Sequence, residues 1–166
     1  MKLGLFGGSF NPIHNGHIDM ARRVKEQFAL DGVLFMVAKE PPHKELAGDV
    51  DAVSRLAMAQ AALAGENGLS ASGLELSRPG KSYTVDTVRT LLAENPETLR
   101  IRFGARVALA SFTGQDVSST MVRAHVEQAL PIDVLVPLAV ERQIYENAFY
   151  QNESVAQKQE KLRASL

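Results

Sequence analysis

The chain has 166 residues, 45% hydrophobic and 22% charged, which predicts one globular domain with a substantial core and excludes intrinsic disorder. Eighteen basic and nineteen acidic residues give a net charge of −1, so no overall field favours nucleic acid or an anionic membrane. The absence of cysteine excludes disulfides, thiolate metal sites and cysteine nucleophiles. Because the sequence shows no apolar signal segment and no run of membrane-spanning length, we expect a soluble, cytoplasmic protein.

Strands and helices alternate along the first two thirds of the sequence. In chain order the expected elements are a strand at 2–6, a turn at 7–12, a helix from Gly16 that Gly32 ends, a strand at 33–37, a helix at 51–64 with Asp51 as its cap, a strand at 69–76, a helix at 84–94 and a strand at 99–103. This alternation predicts an α/β fold with a Rossmann-like open parallel sheet and helices on both faces.

The C-terminal third is expected to be helical. One helix spans 120–129 and is broken by Pro131, and a second spans 138–147 with Pro137 at its first position. The polar residues 151–166 are expected to form a tail or a frayed helix. The pattern therefore predicts one domain over 1–150 followed by a polar extension.

The strongest chemical signal is the run Gly-Gly-Ser-Phe-Asn-Pro-Ile-His-Asn-Gly-His at 7–17, directly after the first strand. Gly7 and Gly8 let backbone N–H groups approach an anion, and the following helix start adds further donors. His14 and His17 are three residues apart, so both lie on one face of that helix start and can donate to phosphate oxygens. A tight turn in which a histidine only packs is the structural alternative, and the histidine spacing favours the phosphate-binding turn over it.

The His-x-Gly-His sequence after Gly-Gly-Ser-Phe resembles the signature of the nucleotidyltransferase superfamily, and the whole sequence most resembles bacterial nicotinate-nucleotide adenylyltransferases. Further segments that agree are Pro41-Pro42-His43-Lys44, Arg55-Leu56-Ala57-Met58, Arg78-Pro79-Gly80-x-Ser82-Tyr83-Thr84-x-Asp86-Thr87 and Val117-Ser118-Ser119-Thr120-x-Val122-Arg123. The resemblance covers about residues 1–150 and implies a nucleotidyltransferase domain there. It implies adenylyl transfer from ATP to nicotinate mononucleotide in NAD biosynthesis, with Mg²⁺ held mainly by the ATP phosphates.

The resemblance also implies roles for individual residues. Those on the ATP side are catalytic His14, His17 and Arg123, with Gly7, Gly8, Ser9, Phe10, Gly16, Ser118, Ser119 and Thr120 as binding residues. Those on the acceptor side are His43, Lys44, Tyr83 and Thr84. No protein-held metal is expected. Since neither paired carboxylates nor a Ser–His–Asp arrangement is apparent, we expect direct in-line transfer assisted by alignment and charge stabilisation.

The chain departs from the family pattern after residue 105. Arg106 stands where the family usually has an aspartate, and only residues 107–115 precede the final matching segment. A tryptophan-bearing unit of about 30 residues is therefore expected to be missing, which exposes surface that a neighbouring copy in a homo-oligomer would cover. Three interpretations stay open: a shortened nicotinate-nucleotide adenylyltransferase, a phosphopantetheine adenylyltransferase, and a nucleotide-binding deletion form with little or no activity.

Overall fold

A computed structural model gives the structure for residues 2–41, 48, 50–78, 80, 83–94 and 116–151. Its strands are β1 (Leu3–Gly8), β2 (Gly32–Val37) and β3 (Leu69–Ser72), and its helices are α1 (Asn15–Gln27), α2 (Ala52–Leu63), α3 (Thr84–Glu94), α4 (Ser119–Glu127) and α5 (Leu138–Glu146). The strand expected at 99–103 and the extension at 152–166 lie outside the described residues.

The three strands form a parallel sheet in the order β1-β2-β3. This sheet with its connecting helices confirms the expected α/β class, and α4 and α5 confirm the helical C-terminal part. The carboxyl ends of the strands, at Gly8, Val37 and Ser72, lie along one edge of the sheet. In open parallel sheets this is the edge where ligands bind.

Two expected boundaries in the first βαβ unit are wrong. Strand β1 does not end at residue 6, because Gly7 and Gly8 pair with β2 and continue the ladder. Helix α1 ends at Gln27 instead of running to Gly32, because Ala29 adopts a left-handed conformation with φ of 47°. Gly32 is instead the first residue of β2.

The middle of the chain follows the sequence pattern closely. Asp51 caps α2 as expected, since its carboxylate accepts a hydrogen bond from the Ser54 N–H at 2.7 Å. Helix α3 has the expected bounds. Strand β3 is shorter than expected because the chain turns after Ser72, whose hydroxyl accepts a hydrogen bond from the Leu74 N–H at 3.2 Å.

The last two helices begin close to the expected positions and differ in how they are capped. Ser118 caps α4, and its hydroxyl accepts a hydrogen bond from the Met121 N–H at 3.1 Å. The helix ends before Pro131, because the chain turns at Ala129, which has φ of 54°. Pro137 is the N-cap of α5 and not its first helical residue.

One apolar core connects the sheet with the helices around it. Its largest fully buried apolar side chains are Phe10, Ile13, Phe35, Met58, Ile132, Ile144, Val37, Val122, Val126, Val136 and Val140. Helix α2 packs against β2, β3 and α5, so the C-terminal part shares the core of the βαβ unit. Within the described ranges, no helix is long and apolar enough to cross a membrane.

Candidate active site

The turn that follows β1 is built around the ring of Phe10. That ring is 1% exposed, and its centroid lies 5.1 Å from that of His17. A Cβ atom at Gly8 would lie 2.9 Å from Cζ of Phe10, so the ring itself requires a glycine there, whereas a Cβ at Gly7 would meet nothing within 4 Å. The side chain of Phe10 packs in the core, and its expected contact with the nucleotide stays a prediction.

His14 and His17 lie together at the start of α1. The His14 N–H donates to Nδ1 of His17 at 3.2 Å, so that nitrogen is unprotonated and Nε2 of His17 carries the proton. The two rings are stacked with their centroids 3.6 Å apart. The structure thus places both rings on one face of the helix start, as their spacing predicts.

Burial makes both imidazoles neutral at pH 7. It lowers the pKa of His14 to about 4, and burial together with the nearby His14 lowers the pKa of His17 to about 3. The Nδ1 atom of His14 is buried and has no hydrogen-bond partner among the described residues. Both rings are therefore neutral, and Nε2 of His17 is an N–H donor at this pair.

The first turn of α4 lies directly on the turn after β1. The Ser119 hydroxyl donates to the backbone oxygen of Pro12 at 2.9 Å. Nη1 of Arg123 donates to the backbone oxygen of Asn11 at 2.7 Å, and Nη2 donates to the Thr120 hydroxyl at 3.2 Å. The contacts with Pro12 and Asn11 join segments more than 100 residues apart, and they bring together the two motifs that we expect to bind ATP.

Close packing at Gly16 strengthens this junction. A Cβ atom there would lie 3.2 Å from Nδ1 of His14 and 3.4 Å from the backbone oxygen of Val117. The hydroxyls of Ser118 and Thr120 have structural partners, as a helix cap and as an acceptor for Arg123. Two of the five guanidinium N–H donors of Arg123 are thus engaged with described residues, and the helix start offers backbone N–H groups to an anion.

Arg55 supports the turn from behind, a role that the sequence did not predict. It is 1% exposed, and Nη1 donates to the backbone oxygens of Ser9 and Ala38, the latter at 2.9 Å. Nη2 donates to the backbone oxygen of Lys39 at 3.2 Å. Through these hydrogen bonds, Arg55 connects the turn after β1 with the end of β2. The available signal was an arginine on the buried face of an otherwise apolar helix.

The expected acceptor side is only partly described. His43 and Lys44 lie outside the described residues. Tyr83 is exposed and immediately precedes α3, which begins at Thr84. The grouping of these four residues into one acceptor site stays a prediction.

The segment before α3 is held to the end of β2. The buried Thr87 hydroxyl donates to the buried carboxylate of Glu75 and accepts from Nη2 of Arg78 at 3.3 Å. Nζ of Lys39 donates to the backbone oxygen of Arg78 at 3.2 Å.

Across the ranges that the structure covers, no group of three or more His, Asp or Glu residues is placed to hold a metal ion.

Residues 5–125 match the model of the cytidylyltransferase-like family, so the chain belongs to this class of nucleotidyltransferases. A "probable nicotinate-nucleotide adenylyltransferase" of Bacillus pumilus is 34% identical over 187 residues, which cover 91% of this chain and 99% of that protein. Within the class, the chain therefore belongs to the family of nicotinate-nucleotide adenylyltransferases.

Other relatives match over a shorter length. A "probable nicotinate-nucleotide adenylyltransferase" of a Synechococcus species is 47% identical over 97 residues, which cover 58% of this chain and 47% of that protein. A protein of the same name from Geobacter sulfurreducens is 48% identical over 96 residues, 44% of its length. The chain thus spans about half the length of these curated relatives.

The fold itself is that of a solved adenylyltransferase. The nicotinic acid mononucleotide adenylyltransferase of Plasmodium falciparum, solved in complex with NaAD, superimposes with a TM-score of 0.64 at 14% identity and covers 90% of this chain and 97% of its own. The alignment with the Bacillus pumilus protein has 187 positions, more than the 166 residues of this chain. The Bacillus pumilus protein therefore contains residues that have no counterpart in this chain. This length difference agrees with the expected shortening.

Proposed function

We propose that the protein transfers the adenylyl group of ATP to nicotinate mononucleotide, which gives deamido-NAD and pyrophosphate. The observation that carries the proposal is the docking of α4 on the turn after β1. Through it, Arg123 is bonded to Asn11 and Ser119 to Pro12, in the same turn that leads into His14 and His17. This arrangement brings neutral donors and one cation together at the carboxyl edge of the sheet, which supports phosphate binding there.

In the proposed reaction, a phosphate oxygen of the mononucleotide attacks the α-phosphorus of ATP. The new P–O bond forms as the bond from the α-phosphorus to the bridging oxygen breaks, and pyrophosphate leaves with the electron pair. His17 donates its Nε2 proton in a hydrogen bond to a triphosphate oxygen, and Arg123 binds the β- or γ-phosphate. The turn supplies N–H and O–H donors and no carboxylate cluster, which suits ATP that arrives with Mg²⁺ on its own phosphates.

The acceptor side of the proposal rests on the family. His43 and Lys44 would hold the phosphate of the mononucleotide, while Tyr83 and Thr84 would line its pocket. The residues 1–150 would form the nucleotidyltransferase domain, acting in the cytoplasm. A homo-oligomer would cover the surface that the shortening exposes.

A pyrophosphate-release assay with ATP and a panel of acceptors tests the proposal. Nicotinate mononucleotide should give the highest kcat/KM among nicotinate mononucleotide, nicotinamide mononucleotide and phosphopantetheine. His17→Ala should lower that value by about thirtyfold or more, the cost of one preorganised donor. The control is His125→Ala, because His125 lies near the far end of α4, where Nδ1 contacts the backbone oxygen of Pro131 at 2.9 Å.

Each outcome of this assay decides a separate point. Release with phosphopantetheine alone would assign a different acceptor, and no release with any acceptor, together with ATP binding in calorimetry, would identify a form that only binds nucleotide. Equal turnover of His17→Ala and the unmodified protein would contradict the role given to His17.

A further inference from the structure

Tyr150, near the end of the described chain, returns to the turn after β1. Its hydroxyl donates to Oδ1 of Asn11 at 2.7 Å, across 139 residues of sequence. Asn11 is 3% exposed, and its backbone oxygen is the one that Arg123 holds at 2.7 Å. A single residue of the turn is therefore bound at its side chain by Tyr150 and at its backbone by Arg123.

The backbone at Tyr150 supports a specific role for this contact. Tyr150 has φ of 60°, a left-handed conformation that is uncommon for an aromatic residue and costs about 1 kcal/mol or more. The chain reaches it after Ala148, which has φ of 53°, and after the Phe149 N–H donates to the Ile144 backbone oxygen at 2.9 Å. Such a conformation persists only where surrounding contacts hold it.

The surroundings of the phenol keep it a hydrogen-bond donor. Burial raises the pKa of Tyr150, although the nearby Arg123 and Arg55 act in the opposite direction. The phenol is therefore protonated at pH 7. Its ring also lies against Gly48, where a Cβ atom would approach Cδ1 of Tyr150 to 3.4 Å. Tyr150 thus contacts both the turn after β1 and the chain that follows β2.

We propose that Tyr150 is a positioning residue of the ATP site, which fixes Asn11 so that the Asn11 carbonyl holds Arg123 toward the triphosphate. The proposal rests on the function proposed above and assigns Tyr150 no contact with substrate. It predicts that loss of the phenol hydroxyl weakens the use of ATP more than the use of the mononucleotide. A tyrosine that served stability alone would not separate the two substrates.

The test compares Tyr150→Phe with Tyr145→Phe, a control that removes a phenol hydroxyl from α5. Pyrophosphate release is measured with each substrate varied in turn, ATP binding by calorimetry, and folding by circular dichroism and thermal unfolding. Tyr150→Phe should lower kcat/KM for ATP and the ATP affinity by about fivefold to tenfold, the effect of one hydrogen bond. The KM for nicotinate mononucleotide should stay within about twofold of the unmodified value.

A double-mutant cycle shows whether Tyr150 acts through Asn11. Once Asn11→Ala has removed the acceptor, adding Tyr150→Phe should cause no further loss of ATP affinity. Additive losses, or a Tyr150→Phe protein that is less stable yet uses both substrates as the control does, would overturn the inference. If the unmodified protein neither binds ATP nor releases pyrophosphate, the proposed function fails first and this inference fails with it.

Discussion

Lowering the pH from 7 to 5 should destabilise the folded protein through the buried His14 and the partly buried His17. The pKa of His14 is lowered from 6.5 to about 4 and that of His17 from 6.5 to about 3. Between pH 6.5 and these folded-state values, the unfolded chain binds protons that the folded chain does not. The free energy of unfolding is therefore highest above pH 6.5 and decreases as the pH falls through this window.

The size of the effect depends mainly on the unfolded-state pKa. Each histidine contributes a slope of about 1.4 kcal/mol per pH unit, so the interval from pH 6.5 to pH 5 is worth about 2 kcal/mol per histidine. This value holds while the folded-state pKa stays below about 4.5. It is an upper value for His17, whose partly exposed ring is screened by water.

Urea unfolding at pH 7 and pH 5 measures this loss, which the unmodified protein should show as about 3–4 kcal/mol from the two histidines together. The double variant with His14→Gln and His17→Gln should lose most of that pH dependence, since glutamine does not titrate. The lower pH of the measurement is 5, because carboxylates contribute little to the change in the free energy of unfolding above that pH. Equal stability at the two pH values, or the same loss in the double variant, would refute the assignment of two imidazoles that stay neutral in the folded protein.

Three further outcomes follow from the site. Arg55→Met should lower the free energy of unfolding by about 3 kcal/mol in urea, because three backbone oxygens lose their donor, and an unchanged midpoint would contradict that role. Arg123→Lys should reduce kcat/KM for ATP by about tenfold because lysine lacks the planar fork; loss of mononucleotide affinity alone would place Arg123 on the acceptor side. Calorimetry should show clear ATP binding and weak mononucleotide binding, because we expect the missing unit to weaken the acceptor site; tight mononucleotide binding by a monomer would contradict this expectation.

Local sequence signals determined some element boundaries and not others. Helix α2 was predictable because Asp51 is a good cap before an Ala-rich apolar segment, and the hydrogen bond to Ser54 confirms it. The end of α1 was not predictable, because Ala29 carries no signal for the left-handed conformation that it adopts. Gly7 and Gly8 have the composition of a turn, yet pairing with β2 extends the strand through them. A contact between distant segments thus overrode the local preference.

Long-range contacts explain the supporting residues that the sequence did not reveal. Arg55 belongs to a segment that matches the family. The three backbone oxygens to which it donates follow β1 and β2, and no spacing rule connects these positions with Arg55. Tyr150 ends the region of resemblance, and its contact with Asn11 depends on how α5 is placed. The placement of His14 beside His17 was predictable, because a short spacing on one strand–turn–helix unit determines it.

The same distinction separates the two sides of the proposed site. On the ATP side, α4 is hydrogen-bonded directly to Asn11 and Pro12, and Val117 just before α4 lies close to Gly16, so these contacts hold α4 on the turn after β1. A shortening between residues 105 and 116 can therefore leave this side intact. On the expected acceptor side, Tyr83 is exposed, and the hydrogen bonds of Thr87 and Arg78 connect its segment to Glu75 and Lys39 instead of to the turn after β1. We therefore expect that loss of an additional unit weakens the binding of the mononucleotide more than the binding of ATP.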